Sequence, residues 1–287
     1  MPEPVTSTID VPGATLTYDV RGDLSNQPVL LLIGSPMGAS GFPTLASYFT
    51  DRTVVTYDPR GVERSVRSDG AGGLSPEDHA DDLVTLIETL DAGPVDIFAS
   101  SGGAVNALAL AAERPDLINT LVAHEPPLAG ILPDAKAATA AVEDIYQTYQ
   151  RDGMGAGMAK FIAITSFKGE IPDSYTEQPA PDPAMFGLPT EDDGSRDDAL
   201  IGQNLRGSTS YQPDFDALSK TVDRLVIAVG EESVDELAHR GGLAVAQRLG
   251  LTPVVFPSNH GGFLGNEYGM PGKPEEFATK LREVLAR

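Results

Sequence analysis

The feature that most constrains the fold is an alternation, along most of the chain, of short β-branched runs with longer helical patterns. Six of the runs are almost continuously apolar, as strands buried on both faces of a parallel sheet are. An opening pair, Val5–Val11 and Ala14–Val20, predicts a hairpin. Strands that alternate with helices indicate βαβ units, so we expect an α/β fold with a mostly parallel sheet of about eight strands. The six buried strands are predicted at Pro28–Ile33, Thr53–Asp58, Val95–Ala99, Asn119–His124, Arg224–Val229 and Pro253–Phe256.

Amphipathic segments between these strands predict helices that cover both faces of the sheet. The clearest start signal is Ser75 before Pro76, because serine caps a helix and proline favours its first position. Lys273 precedes a second proline followed by two acidic residues, which also favours a helix start. The predicted helices are Phe42–Phe49, Pro76–Leu90, Gly102–Glu113, Val234–Leu249 and Pro274–Leu285.

The stretch from residue 127 to residue 220 interrupts the alternation. It contains a helical pattern over Ala135–Tyr149, a run rich in Gly and Met at Gly153–Met158, and a stretch dense in Pro, Asp and Gly at Glu170–Arg196. A compact domain seldom carries so long an irregular connection unless the connection has a function. We therefore predict a core formed by residues 1–126 and 221–287, with residues 127–220 inserted as a helical lid.

Composition and charge disfavour several classes of partner. The 287 residues include 42 acidic and 20 basic side chains, a formal net charge of −22. Nucleic acids and anionic membranes bind clustered Lys and Arg, so neither is an expected partner. The chain has no cysteine, which excludes disulfides and thiolate metal sites. Because no apolar run approaches about 18 residues and no leader pattern is present, we expect a cytoplasmic protein; a homodimer is left open.

The strongest local signal is Val95–Ala104, where an apolar strand runs through two serines and two glycines into a helical pattern. A serine between strand and helix sits on a strained turn that exposes its hydroxyl, and the residues two places either side must be small. Ala99 and Gly103 meet that requirement around Ser101. The helix that begins at Gly102 directs free N–H groups and its positive dipole end at the serine. Ser101 is therefore the predicted nucleophile.

A hydroxyl nucleophile needs a base, and the chain offers four histidines. His260 follows the last predicted strand, where loops at the carboxyl edge of a parallel sheet come close to Ser101. His79 and His239 fall within predicted helices, and His124 ends a strand, so packed or solvated roles are expected for these three. His260 is the predicted base.

These motifs resemble the α/β-hydrolase superfamily over nearly the whole length of the chain. The turn Asp58–Ser65 is similar to the D-x-R-G-x-G-x-S motif of that superfamily, with Glu63 in place of the second glycine. The resemblance implies an α/β-hydrolase fold with helices on both faces of the sheet. It also implies that Asp58 and Arg60 order a loop and take no part in catalysis.

The resemblance further implies an oxyanion hole. Members of the superfamily place a His-Gly pair before one backbone donor, but this chain has Ile33 in the position of the His. Pro36 has no N–H, so Ser35 is the predicted donor that acts together with Gly102, and Met37 is the alternative.

The third member of the triad departs from the usual pattern. The superfamily usually has an Asp after the strand that ends at Gly230, but Ser233 stands there. Glu232 and Asp235 in the same loop are alternative acids. We favour Glu125, because it lies at the carboxyl end of the strand beside the nucleophile strand and its carboxylate can reach the imidazole. The sequences Ser-Ser-Gly-Gly at 100–103 and His-Glu-Pro-Pro at 124–127 also resemble the zearalenone lactonase group, which implies a Glu in this role.

The predicted activity is hydrolysis of an ester or lactone, with no metal and no organic cofactor. Ser101 would attack the carbonyl, His260 would move the proton, and Glu125 would orient the imidazole. A serine at this turn disfavours haloalkane dehalogenase and epoxide hydrolase chemistry, for which relatives use an Asp. Tyr, Phe and Met side chains of the predicted lid favour a small apolar substrate.

Two other functions stay open on the same fold. A C–C bond hydrolase or a cofactor-free perhydrolase would use the same Ser101 and His260. A ligand-binding protein that has lost turnover is the third possibility, because a fold does not dictate a function.

Overall fold

The computed structural model describes residues 3–70, 72–269 and 271–286. In these residues the chain forms a nine-stranded sheet. The predicted α/β fold is confirmed, and the one strand outside the prediction is β5, which has only two residues and leaves no pattern in the sequence. The strands are β1 (Val5–Val11), β2 (Ala14–Arg21), β3 (Leu30–Ile33), β4 (Val54–Tyr57), β5 (Val66–Arg67), β6 (Val95–Ser100), β7 (Ile118–His124), β8 (Leu225–Gly230) and β9 (Val254–Phe256).

The strand order is β1-β2-β4-β3-β6-β7-β8-β9, with β5 paired to β2. The β1–β2 hairpin is antiparallel, as is its junction with β4, and the strands from β4 to β9 in this order are parallel. Ser100 pairs with His124, and His124 pairs with Ala228. The register therefore brings the carboxyl ends of β6, β7 and β8 side by side, where the loops that follow them meet.

Helices cover both faces of the sheet, as predicted. Alternate residues of β3 show the division: Leu31 and Ile33 belong to one buried cluster, and Leu30 and Leu32 to another. Each leucine that is fully buried in this way stabilises the fold by about 1.5–3 kcal/mol. The helices are α1 (Pro43–Ser47), α2 (Pro76–Leu90), α3 (Gly102–Glu113), α4 (Ala135–Asp152), α5 (Met154–Thr165), α6 (Leu205–Ser210), α7 (Phe215–Leu218), α8 (Leu237–Leu249) and α9 (Pro274–Leu285).

The predicted helix starts are correct where the capping chemistry is strong. Ser75 caps α2 and exchanges hydrogen bonds with Asp78 in a capping box. The helix predicted from Val234 begins instead at Leu237, because residues 231–235 form a turn in which Asp235 has a φ of 68°.

The inserted segment, residues 127–220, lies between β7 and β8 and supplies most of a buried cluster that includes Ile145, Tyr149 and Ile164 and that Leu237 of α8 joins. The run rich in Gly and Met, for which the sequence indicates no helix, forms the start of α5. A Cβ at Gly157 would lie 2.7 Å from the Cβ of Tyr149, so the glycine lets α5 pack closely against α4. Of the helices in the described residues, none is both long enough and apolar enough to cross a bilayer.

Candidate active site

Ser101 occupies the turn between β6 and α3. Its φ of 58° and ψ of −128° lie in a region that L-residues rarely adopt, and its N–H donates a hydrogen bond to the carbonyl of His124 at 2.9 Å. A Cβ at Gly103 would lie only 2.7 Å from the carbonyl oxygen of Ile33, and Ala99 is fully buried. Small residues on both sides are therefore a steric requirement of this turn, as the sequence pattern indicates.

Two backbone donors lie beside the serine. A Cβ at Gly102 would overlap the carbonyl oxygen of Ser35, so the absence of a side chain allows the loop after β3 to approach α3 closely. Within the described ranges, neither the N–H of Ser35 nor that of Gly102 donates a hydrogen bond to the protein. Both are free to stabilise an oxyanion.

Glu125 directly follows β7 and is completely buried. Its Oε2 lies 2.6 Å from Nδ1 of His260. Its Oε1 accepts hydrogen bonds from the backbone N–H of Gly230, at 2.8 Å, and from the hydroxyl of Ser233. Its φ of 48° is a strained value for a non-glycine residue. Three donors therefore hold one buried carboxylate in a fixed position.

The same contacts set the charge of Glu125. Burial by itself raises the pKa of the carboxyl group, but the hydrogen bond from His260, the charges of neighbouring imidazoles and the hydroxyl of Ser233 outweigh it and lower the pKa to about 2. Glu125 is thus ionised at neutral pH. An ionised acceptor at Nδ1 keeps the proton on that nitrogen and leaves Nε2 of His260 free to accept another.

His260 lies in the loop after β9, with 39% of its side chain exposed. Among the described residues, His260 is hydrogen-bonded to Glu125, and no hydrogen bond joins it to the hydroxyl of Ser101. Such contacts are often long in a free enzyme and shorten when substrate binds.

The alternative acids lie elsewhere. Glu232 is 45% exposed and pairs with Lys273 at 2.6 Å. Its other oxygen lies 3.4 Å from the hydroxyl of Ser258. Asp235 is exposed, and its main-chain carbonyl accepts from the N–H of Gly169. Neither carboxylate is hydrogen-bonded to His260 in the part of the chain that the structure describes.

His124 is a buried neighbour of the site. Its Nδ1 lies 3.1 Å from the hydroxyl of Ser100, and its ring stacks on that of His260 with centroids 6.0 Å apart. Burial lowers its pKa to about 4, so the ring is neutral at pH 7. His79, which bonds to Asn204 at 2.7 Å, and His239 are also buried, so all three are packed histidines.

The turn Asp58–Ser65 orders the loop that contains Ser35. Asp58 accepts a hydrogen bond from the N–H of Ala39 at 2.8 Å, and Arg60 pairs with the buried Asp82. Glu63, which replaces a glycine of the superfamily motif, has a φ of 48°. A positive φ at this position explains why glycine suits it.

Two further residues at the site were not assigned a role from the sequence. Ser233 stands in the sequence where the superfamily usually has an Asp, which marks the position as unusual. Its hydrogen bond to Glu125 cannot be read from the sequence, because it depends on how far the Glu125 side chain reaches. Ser208 of α6 lies over Gly102, with its hydroxyl 3.5 Å from where a Cβ of Gly102 would be. No feature of the sequence marks Ser208.

The fold and the strand–serine–helix turn define a class of hydrolases, and comparisons with known proteins agree. The family model for the alpha/beta hydrolase fold matches residues 27–162. The uncharacterized hydrolase YraK of Bacillus subtilis (strain 168) is 30% identical to the chain over 98% of this sequence and 96% of its own. The chain therefore belongs to the α/β-hydrolase family.

Solved structures show the same fold. The enol-lactonase from Burkholderia xenovorans LB400 superimposes with a TM-score of 0.67 at 18% identity, covering 98% of this chain and 100% of that one. A thermophilic esterase from Thermogutta terrifontis gives a TM-score of 0.66 at 19% identity, covering 99% and 98%. At such identities the likeness concerns the fold.

Proposed function

We propose that this protein is a serine hydrolase that cleaves carboxylic esters or lactones with Ser101 as nucleophile, His260 as base and Glu125 as the acid of the triad. The observation that supports it best is the 2.6 Å contact between the buried, ionised Glu125 and Nδ1 of His260. A buried charge is costly unless it is paired, and this one is paired with an imidazole at the same edge of the sheet as the serine turn.

The chemistry follows from these positions. His260 Nε2 takes the proton of Ser101 as the oxygen attacks the carbonyl, and the N–H groups of Ser35 and Gly102 stabilise the negative charge on the carbonyl oxygen. His260 then returns the proton to the leaving alcohol, or to the ring oxygen of a lactone. Water, deprotonated by His260, then attacks the acyl carbonyl. His260 returns the proton to the oxygen of Ser101 as the acid leaves. These steps use protein side chains and water alone.

We also propose that the inserted segment, residues 127–220, is the lid of this site, and that residues 1–126 and 221–287 form the catalytic core. A buried cluster formed almost wholly by residues of the segment, and the position of Ser208 next to Gly102, support this division. A small apolar ester or lactone remains the proposed substrate. The resemblance to the lactonase group, and the esterase and enol-lactonase among the structural neighbours, favour that class.

Hydrolysis of p-nitrophenyl acetate, p-nitrophenyl butyrate and a simple lactone by the wild type and by Ser101→Ala tests the proposal. We expect turnover and fluorophosphonate labelling of the wild type, and loss of both in Ser101→Ala. Ser100→Ala is the matched control, because Ser100 is the adjacent serine but is buried against His124. A wild type that neither turns over esters nor reacts with the probe would show that the protein is not a serine hydrolase.

A further inference from the structure

Helix α6 of the inserted segment lies against the turn that contains the nucleophile. A Cβ at Gly207 would overlap the carbonyl oxygen of Leu74, so α6 is packed tightly against the loop before α2. The next residue, Ser208, is only 7% exposed, and its hydroxyl lies 3.5 Å from where a Cβ of Gly102 would be. A polar side chain of the inserted segment is thereby fixed beside an oxyanion donor.

The hydroxyl of Ser208 differs from those of its neighbours. Thr209 donates to the carbonyl of Leu205 at 2.7 Å, and Ser210 donates to that of Arg206 at 2.6 Å, as hydroxyls within helices often do. Across residues 3–70, 72–269 and 271–286, the hydroxyl of Ser208 has no hydrogen-bond partner. A hydroxyl without a protein partner is satisfied by water or by a bound ligand, and a bound ligand that displaces the water must replace its hydrogen bond.

A second unpartnered hydroxyl belongs to another neighbour of the same glycine. In the described residues the Oγ of Ser35 is buried and has no hydrogen bond, and the backbone of Ser35 contacts Gly102. By contrast, Thr209 and Ser210 line a cavity of about 390 Å³ whose walls include neither Ser208 nor Ser101. Ser208 is therefore the hydroxyl of this group that faces the catalytic turn.

We propose that Ser208 is a specificity-determining residue that donates a hydrogen bond to an oxygen on the carbon next to the scissile carbonyl. The inference rests on the serine hydrolase function proposed above. Its hydroxyl lies 3.5 Å from where a Cβ of Gly102 would be, next to the residue whose N–H is a proposed oxyanion donor. In a bound ester the α carbon is one bond from the carbonyl carbon, so an oxygen on the α carbon would come close to this hydroxyl. The substrate class is an ester or lactone with an ether, keto or hydroxyl oxygen at the α carbon.

Two substrates of nearly equal size test this assignment. p-Nitrophenyl methoxyacetate and p-nitrophenyl butyrate differ by one ether oxygen in place of a methylene at the relevant position. We expect Ser208→Ala to lower the ratio of their kcat/KM values by about tenfold, the effect of one hydrogen bond. Ser208→Thr, which retains the hydroxyl, and Ser210→Ala, which removes a neighbouring one, should keep the wild-type ratio. The ratio does not depend on the fraction of enzyme that is folded.

The possible outcomes separate this proposal from the one on which it rests. If the wild type hydrolyses neither ester and is not labelled by a fluorophosphonate, the proposed function itself fails. If the wild type hydrolyses both and Ser208→Ala slows both equally, the hydroxyl does not recognise an α oxygen and the present proposal is wrong. An unchanged ratio and unchanged rates in Ser208→Ala overturn it as well.

Discussion

The loops that follow β7 and β8 both direct carboxylates towards the same edge of the sheet, but they do so in opposite environments. Glu125, after β7, is fully buried and accepts hydrogen bonds from three donors. Glu232, after β8, is 45% exposed and pairs with Lys273 at the surface. The two side chains are identical, so only their surroundings make Glu125 a buried acceptor of hydrogen bonds and Glu232 a member of a surface ion pair.

The difference shows what the acid of the proposed triad requires. Removing a carboxylate from water costs several kcal/mol, which must be offset by donors that are already in place. Gly230 and Ser233 of the β8 loop supply two of these donors to an acid that comes from β7. The β8 loop therefore contributes to the site through its hydrogen-bond donors, while its own carboxylates remain in solvent.

The largest expected effect comes from Glu125→Gln. The amide keeps the size of the side chain, but it cannot stabilise a protonated His260 and can present an N–H to Nδ1, which favours the wrong tautomer. We expect kcat for p-nitrophenyl butyrate to fall by about 10³–10⁴-fold.

Circular dichroism should show that Glu125→Gln is folded, which separates this loss from misfolding. A loss of less than about tenfold would remove the distinction between the two loops and return Glu232 and Asp235 to consideration as the acid.

The second prediction concerns Ser233 of the β8 loop, whose hydroxyl donates a hydrogen bond to Glu125. Ser233→Ala removes one hydrogen bond to a buried charge, and we expect kcat to fall by about 10–100-fold with little change in KM, since Ser233 is fully buried behind Glu125. Ser233→Thr retains the hydroxyl and should recover most of the rate. Equal losses in the Ala and Thr variants would indicate that Ser233 acts through packing.

These positions also show how far the sequence predicts the site. The strand, the serine turn and helix α3 are predicted almost to the residue, because an apolar run, small residues and a helical pattern follow one another without interruption. Glu125, which the sequence favours as the acid, lies in contact with His260. The positions of Ser233 beside Glu125 and of Ser208 beside Gly102 could not be predicted, since each depends on the distance between segments far apart in the chain.

Helix α5 illustrates the same limit at the level of the fold. Its glycines lower the intrinsic helix propensity of the run, so the local sequence indicates no helix. Close packing of Gly157 against Tyr149 outweighs that preference. Tertiary contacts of this kind leave no pattern along the chain, and the inserted segment contains more of them than the sheet does.

The third prediction concerns the protonation of His124, the residue that precedes Glu125. The pKa of His124 is about 4 in the folded protein and 6.5 ordinarily. As the pH falls below 6.5, the unfolded chain binds a proton that the folded protein does not, so stability decreases until about pH 4 and then levels off. The decrease is about 3 kcal/mol.

His124→Asn keeps a polar atom near the hydroxyl of Ser100 but cannot titrate. Between pH 7 and pH 4 the free energy of unfolding of this variant should therefore decrease by about 3 kcal/mol less than that of the wild type. Urea unfolding of both proteins between pH 7 and pH 4 measures the difference. His79, whose pKa is also about 4, contributes equally to both proteins and cancels. Parallel curves would show that His124 is not held neutral by its surroundings.

The smallest expected effects come from the exposed ion pair of Glu232 and Lys273. Glu232→Gln and Lys273→Ala break a solvent-exposed ion pair, and such pairs contribute little because water solvates both charges and salt screens them. We expect kcat/KM for p-nitrophenyl butyrate to stay within about twofold of the wild type for both variants. A large loss in Glu232→Gln alone would mean that its carboxylate moves to His260 when substrate binds. A large loss in both would mean that the ion pair holds the β8 loop, and with it the hydroxyl of Ser233, in the position that Glu125 needs.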